Sequence, residues 1–165
     1  MSRGFVKAFD WAIVTVCFLA VSRLAQAEHF DIKLNATGSD QIRREAYADD
    51  TPPASGLNPR PLLKVRTGEK ITFQFVMTNV NPHGYVKGAG VHYYVAREKE
   101  AGQKAPHLEQ PVIEGSFTLD LKPRASVGVR EQVVIHNSGT YLLRVESLRT
   151  QRDHEHFSAI DVEVK

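Results

Sequence analysis

Histidine is the residue type with the greatest chemical potential in this sequence, which contains seven histidines and a single cysteine. The densest group is Asp153-His154-Glu155-His156. In an extended segment, alternate side chains project from the same face, so His154 and His156 could share one metal ion. Imidazole is the commonest protein ligand for metals such as zinc and copper. The spacing makes both residues candidates for a Cu or Zn site, and loop histidines of a polar surface are the alternative.

Three further histidines extend this candidate site. His83 lies in the turn Asn81-Pro82-His83-Gly84-Tyr85, and His92 lies on the strand predicted to follow it. Residues 1–27 have the pattern of a cleavable signal peptide, described below. Cleavage after Ala27 would make His29 the second residue of the mature chain, where its imidazole and the new amino terminus could chelate Cu(II). The full candidate set is therefore His29, His83, His92, His154 and His156. A type 1 copper site needs a cysteine thiolate. It is excluded, because the one cysteine, Cys17, lies within the predicted signal peptide.

Motifs of known enzyme chemistry are missing from the sequence. There is no Gly-x-Ser-x-Gly elbow, no phosphate-binding loop and no His-Glu-x-x-His helix. The glycine-rich run 84–90 lies between two predicted strands, with no helix after it to hold a phosphate. We therefore expect no catalytic residues, no enzyme activity and no cofactor other than a Cu or Zn ion.

The run His92-Tyr93-Tyr94 is the second feature with chemical interest. In a strand, His92 and Tyr94 share one face, while Tyr93 shares the other face with Val91 and Val95. We expect one of these faces to be core and the other to be a half-exposed aromatic surface. A ligand platform for sugar or peptide is the alternative interpretation of that surface.

Residues 1–27 have the three parts of a cleavable signal peptide. Arg3 and Lys7 supply positive charge, an apolar run covers 11–21, and Ala25-Gln26-Ala27 is a cleavage site with small side chains. A retained N-terminal anchor is the alternative. In both cases the remainder lies outside the cytoplasm, in the periplasm or in the secreted fraction. The sequence has no second hydrophobic segment, so we expect no transmembrane span after signal cleavage.

Loss of the signal changes the charge of the protein. Removing 27 of the 165 residues leaves 138, and these carry 18 Lys and Arg against 18 Asp and Glu. The mature chain is then formally neutral. Nucleic-acid binding needs clustered basic residues, so we expect no nucleic-acid partner.

Two segments follow the signal. Segment 28–61 begins with an alternating strand in which Phe30, Ile32 and Leu34 share one face. It continues through a polar stretch with a helical turn at 40–46, and it ends in a proline-rich run. Four prolines in 51–61 exclude helix and central strand, so that run is an extended arm or a flexible linker.

Segment 62–165 predicts a domain of short strands separated by Gly, Pro and Asn turns. These runs and the strand in 28–61 give seven or eight antiparallel strands in all, which is typical of an all-β sandwich. The run Gly139-Thr140-Tyr141, with Val145 after it, resembles the tyrosine corner of immunoglobulin-like and fibronectin-like sandwiches. In that motif a tyrosine near a strand start bonds back to the preceding loop. The run 67–73 is similar to early strands of bacterial immunoglobulin-like surface modules.

The sequence thus predicts an exported, non-catalytic β-sandwich that acts as a binding or accessory module of the cell envelope. Its expected partner is another envelope or extracellular protein. The alternative is a periplasmic protein that binds Cu or Zn through its histidines.

Overall fold

A computed structural model describes residues 30–47, 60–99, 108–148 and 157–165. These residues form nine β-strands and no helix. The strands are β1 (Phe30–Thr37), β2 (Arg43–Tyr47), β3 (Leu62–Val65), β4 (Lys70–Asn79), β5 (Val86–Glu98), β6 (Leu108–Leu121), β7 (Ser126–Val134), β8 (Gly139–Leu148) and β9 (Phe157–Val164). The prediction of an all-β protein is therefore confirmed, with one more strand than the upper expectation. The predicted signal (1–27) and most of the proline-rich run (51–59) lie outside the described residues.

The strands form two sheets. One has four strands in the order β2-β1-β4-β7, and the other has five in the order β3-β9-β8-β5-β6. All pairs are antiparallel except β3 with β9, which is parallel. In the part of the chain that the structure describes, no helix is long and apolar enough to span a membrane.

The core lies between the sheets and follows the alternation of the sequence. Strand β1 alternates between buried and half-buried residues along its whole length, as Phe30, Ile32 and Leu34 predict. The other fully buried large side chains come mainly from β4, β8 and β9. They are Leu63, Ile71, Phe73, Phe75, Met77, Val91, Leu143 and Ile160 between the sheets, and Leu142 in a separate cluster. Burying one such side chain contributes about 1.5–3 kcal/mol, so these strands carry most of the stabilisation.

The residues of β5 divide between two environments, as the alternation predicts. The Tyr93 ring points inward and packs against Phe75 with centroids 5.4 Å apart. Gly115 on β6 leaves room for it, since a β-carbon there would meet the Tyr93 ring. The outer face differs from expectation, because Tyr94 is only 7% exposed. It belongs to a second small apolar cluster with Ala96, Leu142 and Ala159.

Two local features of the sequence have different outcomes. Tyr141, at the start of β8, donates a hydrogen bond of 2.9 Å from its hydroxyl to the carbonyl of Asn137. This is the bond back to the preceding loop that the tyrosine motif implies. The helical turn expected at 40–46 is wrong, since 43–47 forms β2 and pairs with β1.

Candidate functional site

His92 lies at the centre of a charged cluster on the outer face of the five-stranded sheet. Strand register places it opposite Glu146 of β8, and Glu114 of β6 lies two pairs along, opposite Tyr94. Its Nδ1 is 2.8 Å from Oε1 of Glu146, and its Nε2 is 2.8 Å from Oε1 of Glu114. Both ring nitrogens are therefore occupied by carboxylates from the two neighbouring strands.

The protonation of His92 follows from these contacts. Partial burial alone would lower the pKa of His92, but the hydrogen bonds and negative charges of Glu146 and Glu114 outweigh it. The pKa of His92 is therefore raised above its usual value. An imidazolium has no lone pair for a metal, so an environment that favours the protonated ring disfavours metal binding at His92.

Aromatic and basic side chains continue this cluster toward β9. The Tyr94 ring lies 5.2 Å from that of His92. Arg144 forms an ion pair of 2.7 Å with Glu146, and its guanidinium lies 4.4 Å from the centre of the Phe157 ring. This face therefore carries a network of hydrogen bonds and ion pairs among charged side chains, and not only an aromatic surface.

A second charged group covers the other end of the same face. Arg60 precedes β3, and its Nη2 is 3.0 Å from Oε2 of Glu98, while its Nε is 2.7 Å from Oδ1 of Asp161. Glu98 and Asp161 are each only 3% exposed. Burial, with the charge of Asp161, raises the pKa of Glu98 to about 7 although Arg60 acts to lower it. One guanidinium therefore faces two buried carboxyl groups, of which Glu98 takes up a proton near neutral pH.

The predicted metal ligands have different outcomes. His83 lies exposed in the turn between β4 and β5, where its backbone N–H donates to Oδ1 of Asn81. His29, His154 and His156 lie outside the described residues. Among residues 30–47, 60–99, 108–148 and 157–165, no group of three or more metal-ligating side chains could hold an ion.

The outer face of the four-stranded sheet carries a groove of about 290 Å³ that sequence reasoning missed. Its lining is Asn35, Thr37, Gly38, Gln41, Arg43, Thr72, Gln74 and Arg130. All are polar or glycine, and none of the eight is acidic. Alternation marks these strand positions as outward-facing, but only the register of four strands brings them together.

One wall of this groove is the turn between β1 and β2, which Glu69 fixes from the turn before β4. Oε1 of Glu69 accepts hydrogen bonds from the backbone N–H and the hydroxyl of Ser39, at 2.6 and 2.7 Å. Oε2 accepts one from the backbone N–H of Arg66 at 2.8 Å. The bonds from Arg66 and Ser39 lower the pKa of Glu69. Gly38 fits here because a β-carbon would lie 2.8 Å from Oε1 of Glu69.

The side of the sandwich formed by β6 and β7 is less closed than the rest of the core. These strands end their sheets, and most of their inward-facing residues are only half-buried, although Leu121 and Val133 are buried. The apolar members of this set are Ile113, Phe117, Leu119, Val127 and Val129. We call this side the open edge.

Comparison with known proteins adds little to this description. No protein-family model matches the chain, and no curated protein matches its sequence. A family 123 glycoside hydrolase from Clostridium perfringens is 14% identical over 66% of this chain and 23% of its own, with a TM-score of 0.45. The Pseudomonas fluorescens alkylpurine DNA glycosylase AlkC, bound to DNA containing an abasic site analogue, is 16% identical over 67% of this chain and 31% of its own, with a TM-score of 0.42. The chain thus spans less than a third of the length of either protein.

Proposed function

We propose that this protein is an exported, non-catalytic, immunoglobulin-like binding module of the cell envelope that pairs with an extended strand of a partner protein at β6. The observation that carries the proposal is the open edge, where a strand of 14 residues ends its sheet beside half-buried apolar side chains. Export follows from the signal predicted at 1–27.

The strand order supports the immunoglobulin-like part of this proposal. Counted from β3, strands β4 and β7 pair as the second and fifth strands, and β5, β8 and β9 adjoin as the third, sixth and seventh. An immunoglobulin sandwich divides these five strands in the same way, but its first and fourth strands lie with the second and fifth, whereas β3 and β6 lie in the other sheet here. The hydrogen bond from Tyr141 to Asn137 is the second support, since it has the form of a tyrosine corner.

The edges of the two sheets differ in a way that favours β6 as the binding edge. On one side, β2 has five residues, three of them charged, and β3 has four residues. Short, charged edge strands are a common protection against pairing with other chains. On the other side, β6 has 14 residues and β7 has nine. Pro111 and the irregular pairing near it interrupt the first part of β6. The stretch that follows is 112–121, within which 113–119 pairs with β5 in continuous register.

The side chains of β6 indicate the chemistry of the partner strand. Val112 is 48% exposed, and Phe117 is half-buried at the mouth of the core. Strand β6 also carries three acidic residues, Glu109, Glu114 and Asp120, and no Lys or Arg. Cross-strand pairs of opposite charge are favourable. We therefore expect an extended segment in which apolar residues alternate with Lys or Arg.

Photo-cross-linking followed by hydrogen exchange tests this proposal. A photoreactive phenylalanine analogue at position 117 is expected to cross-link a polypeptide in envelope extracts, whereas the same analogue at Tyr47, 54% exposed on β2, is the matched control. With that partner purified, amide protection is expected in 112–121. Protection confined to other strands, or no cross-linked polypeptide, would contradict the proposal.

A charge-matched pair of variants tests the chemistry of the partner. Ser116 and Thr118 are exposed on the outer face of β6. The double variant Ser116→Lys/Thr118→Lys is expected to weaken partner binding about tenfold, through like-charge repulsion of roughly 1 kcal/mol or more. Ser116→Glu/Thr118→Glu at the same positions is expected to retain binding. Equal loss in both variants would argue against a basic partner strand.

Binding of Cu or Zn is the second candidate function, and the placement of strand ends favours it. Phe30 pairs with Asn79, so β1 begins where β4 ends, next to the turn that contains His83. Leu148 pairs with Gly90, so β8 ends near the start of β5. Phe30 and Leu148, the described residues next to 29 and 149 in the sequence, therefore lie at the same end of the sandwich as His83.

Metal titration tests this alternative directly. Untagged mature protein is titrated with Cu(II) and Zn(II), and one equivalent is expected to bind. The double variant His154→Ala/His156→Ala is expected to lose that binding. Substoichiometric binding, or unchanged binding in the double variant, excludes the proposed site.

A further inference from the structure

The groove on the four-stranded sheet is built from two transverse rows of polar side chains. Strand register aligns Arg130, Gln74 and Asn35 in one row across β7, β4 and β1. The adjacent row contains Thr72, Thr37 and Arg43 across β4, β1 and β2. Because these strands also form the core, the groove floor is fixed by the packing beneath it. A site on paired strands holds its geometry more precisely than one on loops.

The two arginines of the groove differ in how far they are already engaged. Arg43 donates from Nε and Nη2 to Oδ1 of Asn35, at 3.0 and 2.8 Å, and its Nη2 is 2.7 Å from Oε1 of Glu45. Arg130 has no hydrogen-bond or ion-pair partner among the residues that the structure describes. Its guanidinium keeps its donors for a ligand, whereas Arg43 can share only part of its hydrogen-bonding capacity.

The remaining lining groups suit a ligand rich in hydroxyl groups. Gln41, Gln74 and Thr37 provide amide and hydroxyl groups, which both donate and accept hydrogen bonds. No aromatic or aliphatic side chain is among the eight lining residues, so recognition here depends on hydrogen bonds and charge. The volume of about 290 Å³ lies just below the range for small-molecule sites, about 300–1,000 Å³. It therefore suits a small, hydroxylated and negatively charged molecule.

We propose that this groove binds the acidic unit of a saccharide, with Arg130 pairing with its carboxylate or sulfate group. Guanidinium groups bind such oxyanions through two parallel N–H donors. The amide and hydroxyl groups of the groove floor hydrogen-bond the sugar hydroxyls. This site is separate from the open edge and does not depend on a partner strand binding at β6.

Titration of the full mature chain with defined saccharides tests this proposal. A galacturonate disaccharide and a sulfated disaccharide are the acidic probes, and the methyl ester of the first is its neutral counterpart. Amide chemical shifts are expected to move for residues of β1, β4 and β7 with at least one acidic probe and not with the ester. Arg130→Gln is expected to weaken binding about tenfold to a hundredfold, as expected for loss of a charge-assisted hydrogen bond.

Matched variants separate the role of Arg130 from general charge. Lys87→Gln removes one exposed positive charge on β5 and is expected to leave affinity within about twofold, since exposed charges more than a Debye length apart are screened. Arg130→Lys keeps the charge but loses the planar fork, so it is expected to retain only part of the affinity.

Four outcomes would overturn the proposal. They are equal binding of the acidic disaccharide and its ester, equal binding of inorganic sulfate and the saccharides, tighter binding of a glutamate-rich peptide, and no binding of any probe. None of them affects the β6 proposal, which is measured by protection of 112–121.

Discussion

The two outer faces of this sandwich both carry arginines and polar side chains, but they use them differently. On the five-stranded sheet, Arg60 pairs with two buried carboxyl groups, and His92 bridges Glu114 and Glu146. On the four-stranded sheet, Arg130 is exposed and has no partner among the described residues. A buried charge requires a partner, because transfer from water without one is very costly. An exposed guanidinium remains hydrated, so it costs folding little and can bind a ligand.

The largest expected difference between the faces is in stability. Arg60→Met removes the guanidinium that bonds both Glu98 and Asp161, and breaking a buried pair in this way costs about 3–5 kcal/mol. Arg130→Met on the other face is expected to change the free energy of unfolding by no more than about 0.5 kcal/mol. Urea denaturation at pH 7 measures both values. Similar losses for the two variants would break the comparison.

The pH dependence of stability sharpens the comparison on the buried face. Glu98 has a pKa of about 7 in the folded protein and about 4.5 when unfolded, so the folded state binds more protons between these values. Stability attributed to Glu98 is therefore present at low pH and is lost as the pH rises toward and through 7. The loss is on the order of 1–3 kcal/mol. Denaturation from pH 4.5 to 8 is expected to show a decline that Glu98→Gln flattens, and an unchanged slope in this variant would contradict the assignment.

His92 adds a separate contribution on the same face. Because its pKa is raised above the unfolded value, its stabilisation is complete below about pH 6.5 and is lost as the pH passes the folded pKa. Two-dimensional NMR of the imidazole gives this pKa directly, and Glu146→Gln is expected to lower it. If the Glu146→Gln change leaves the pKa of His92 where it was, the carboxylate pair does not control its charge.

These two faces also differ in how far the sequence could predict them. Alternation identified the face of β1 that carries Phe30, Ile32 and Leu34, because a strand with one buried face must alternate. It also placed His92 and Tyr94 on one face of β5 and Tyr93 on the other. It did not identify Glu114 and Glu146 as partners, since they lie 22 and 54 residues away and meet His92 only through strand register.

Strand β2 and the contacts of Arg60 also could not be predicted from the local sequence. The segment Arg43-Arg44-Glu45 has no apolar alternation, and pairing with β1 makes it a strand. Arg60 follows a proline-rich run, and no local pattern connects it to Glu98, 38 residues later. The groove around Arg130 was missed for the same reason, because four strands must align before its lining exists. Tertiary pairing supplied what the local sequence lacks.

A smaller effect on stability is expected at the wall of the groove, where Glu69 connects the turn between β1 and β2 to the turn between β3 and β4. Glu69→Gln keeps the shape but weakens the three bonds to Ser39 and Arg66, at a cost of about 1 kcal/mol. Since the pKa of Glu69 is lowered in the folded protein, its stabilisation is present above about pH 4.5 and is lost as the pH falls through the folded pKa. Acid titration followed by circular dichroism compares the variant with the wild type. A variant as stable as the wild type at pH 7 would show that the turn does not need this carboxylate.

The smallest expected effect on stability is at Arg130 itself, and it separates a binding role from a structural one. Arg130→Gln is expected to unfold within about 0.5 kcal/mol of the wild type, because an exposed side chain without a partner contributes little to folding. The same variant is expected to lose saccharide affinity at least tenfold, so folding and binding separate at one residue. Thermal unfolding with and without the galacturonate disaccharide measures both quantities in one experiment. If the ligand raises the unfolding temperature of Arg130→Gln as much as that of the wild type, the ligand binds elsewhere. If the variant without ligand unfolds at a clearly lower temperature than the wild type, Arg130 has a structural role like that of Arg60.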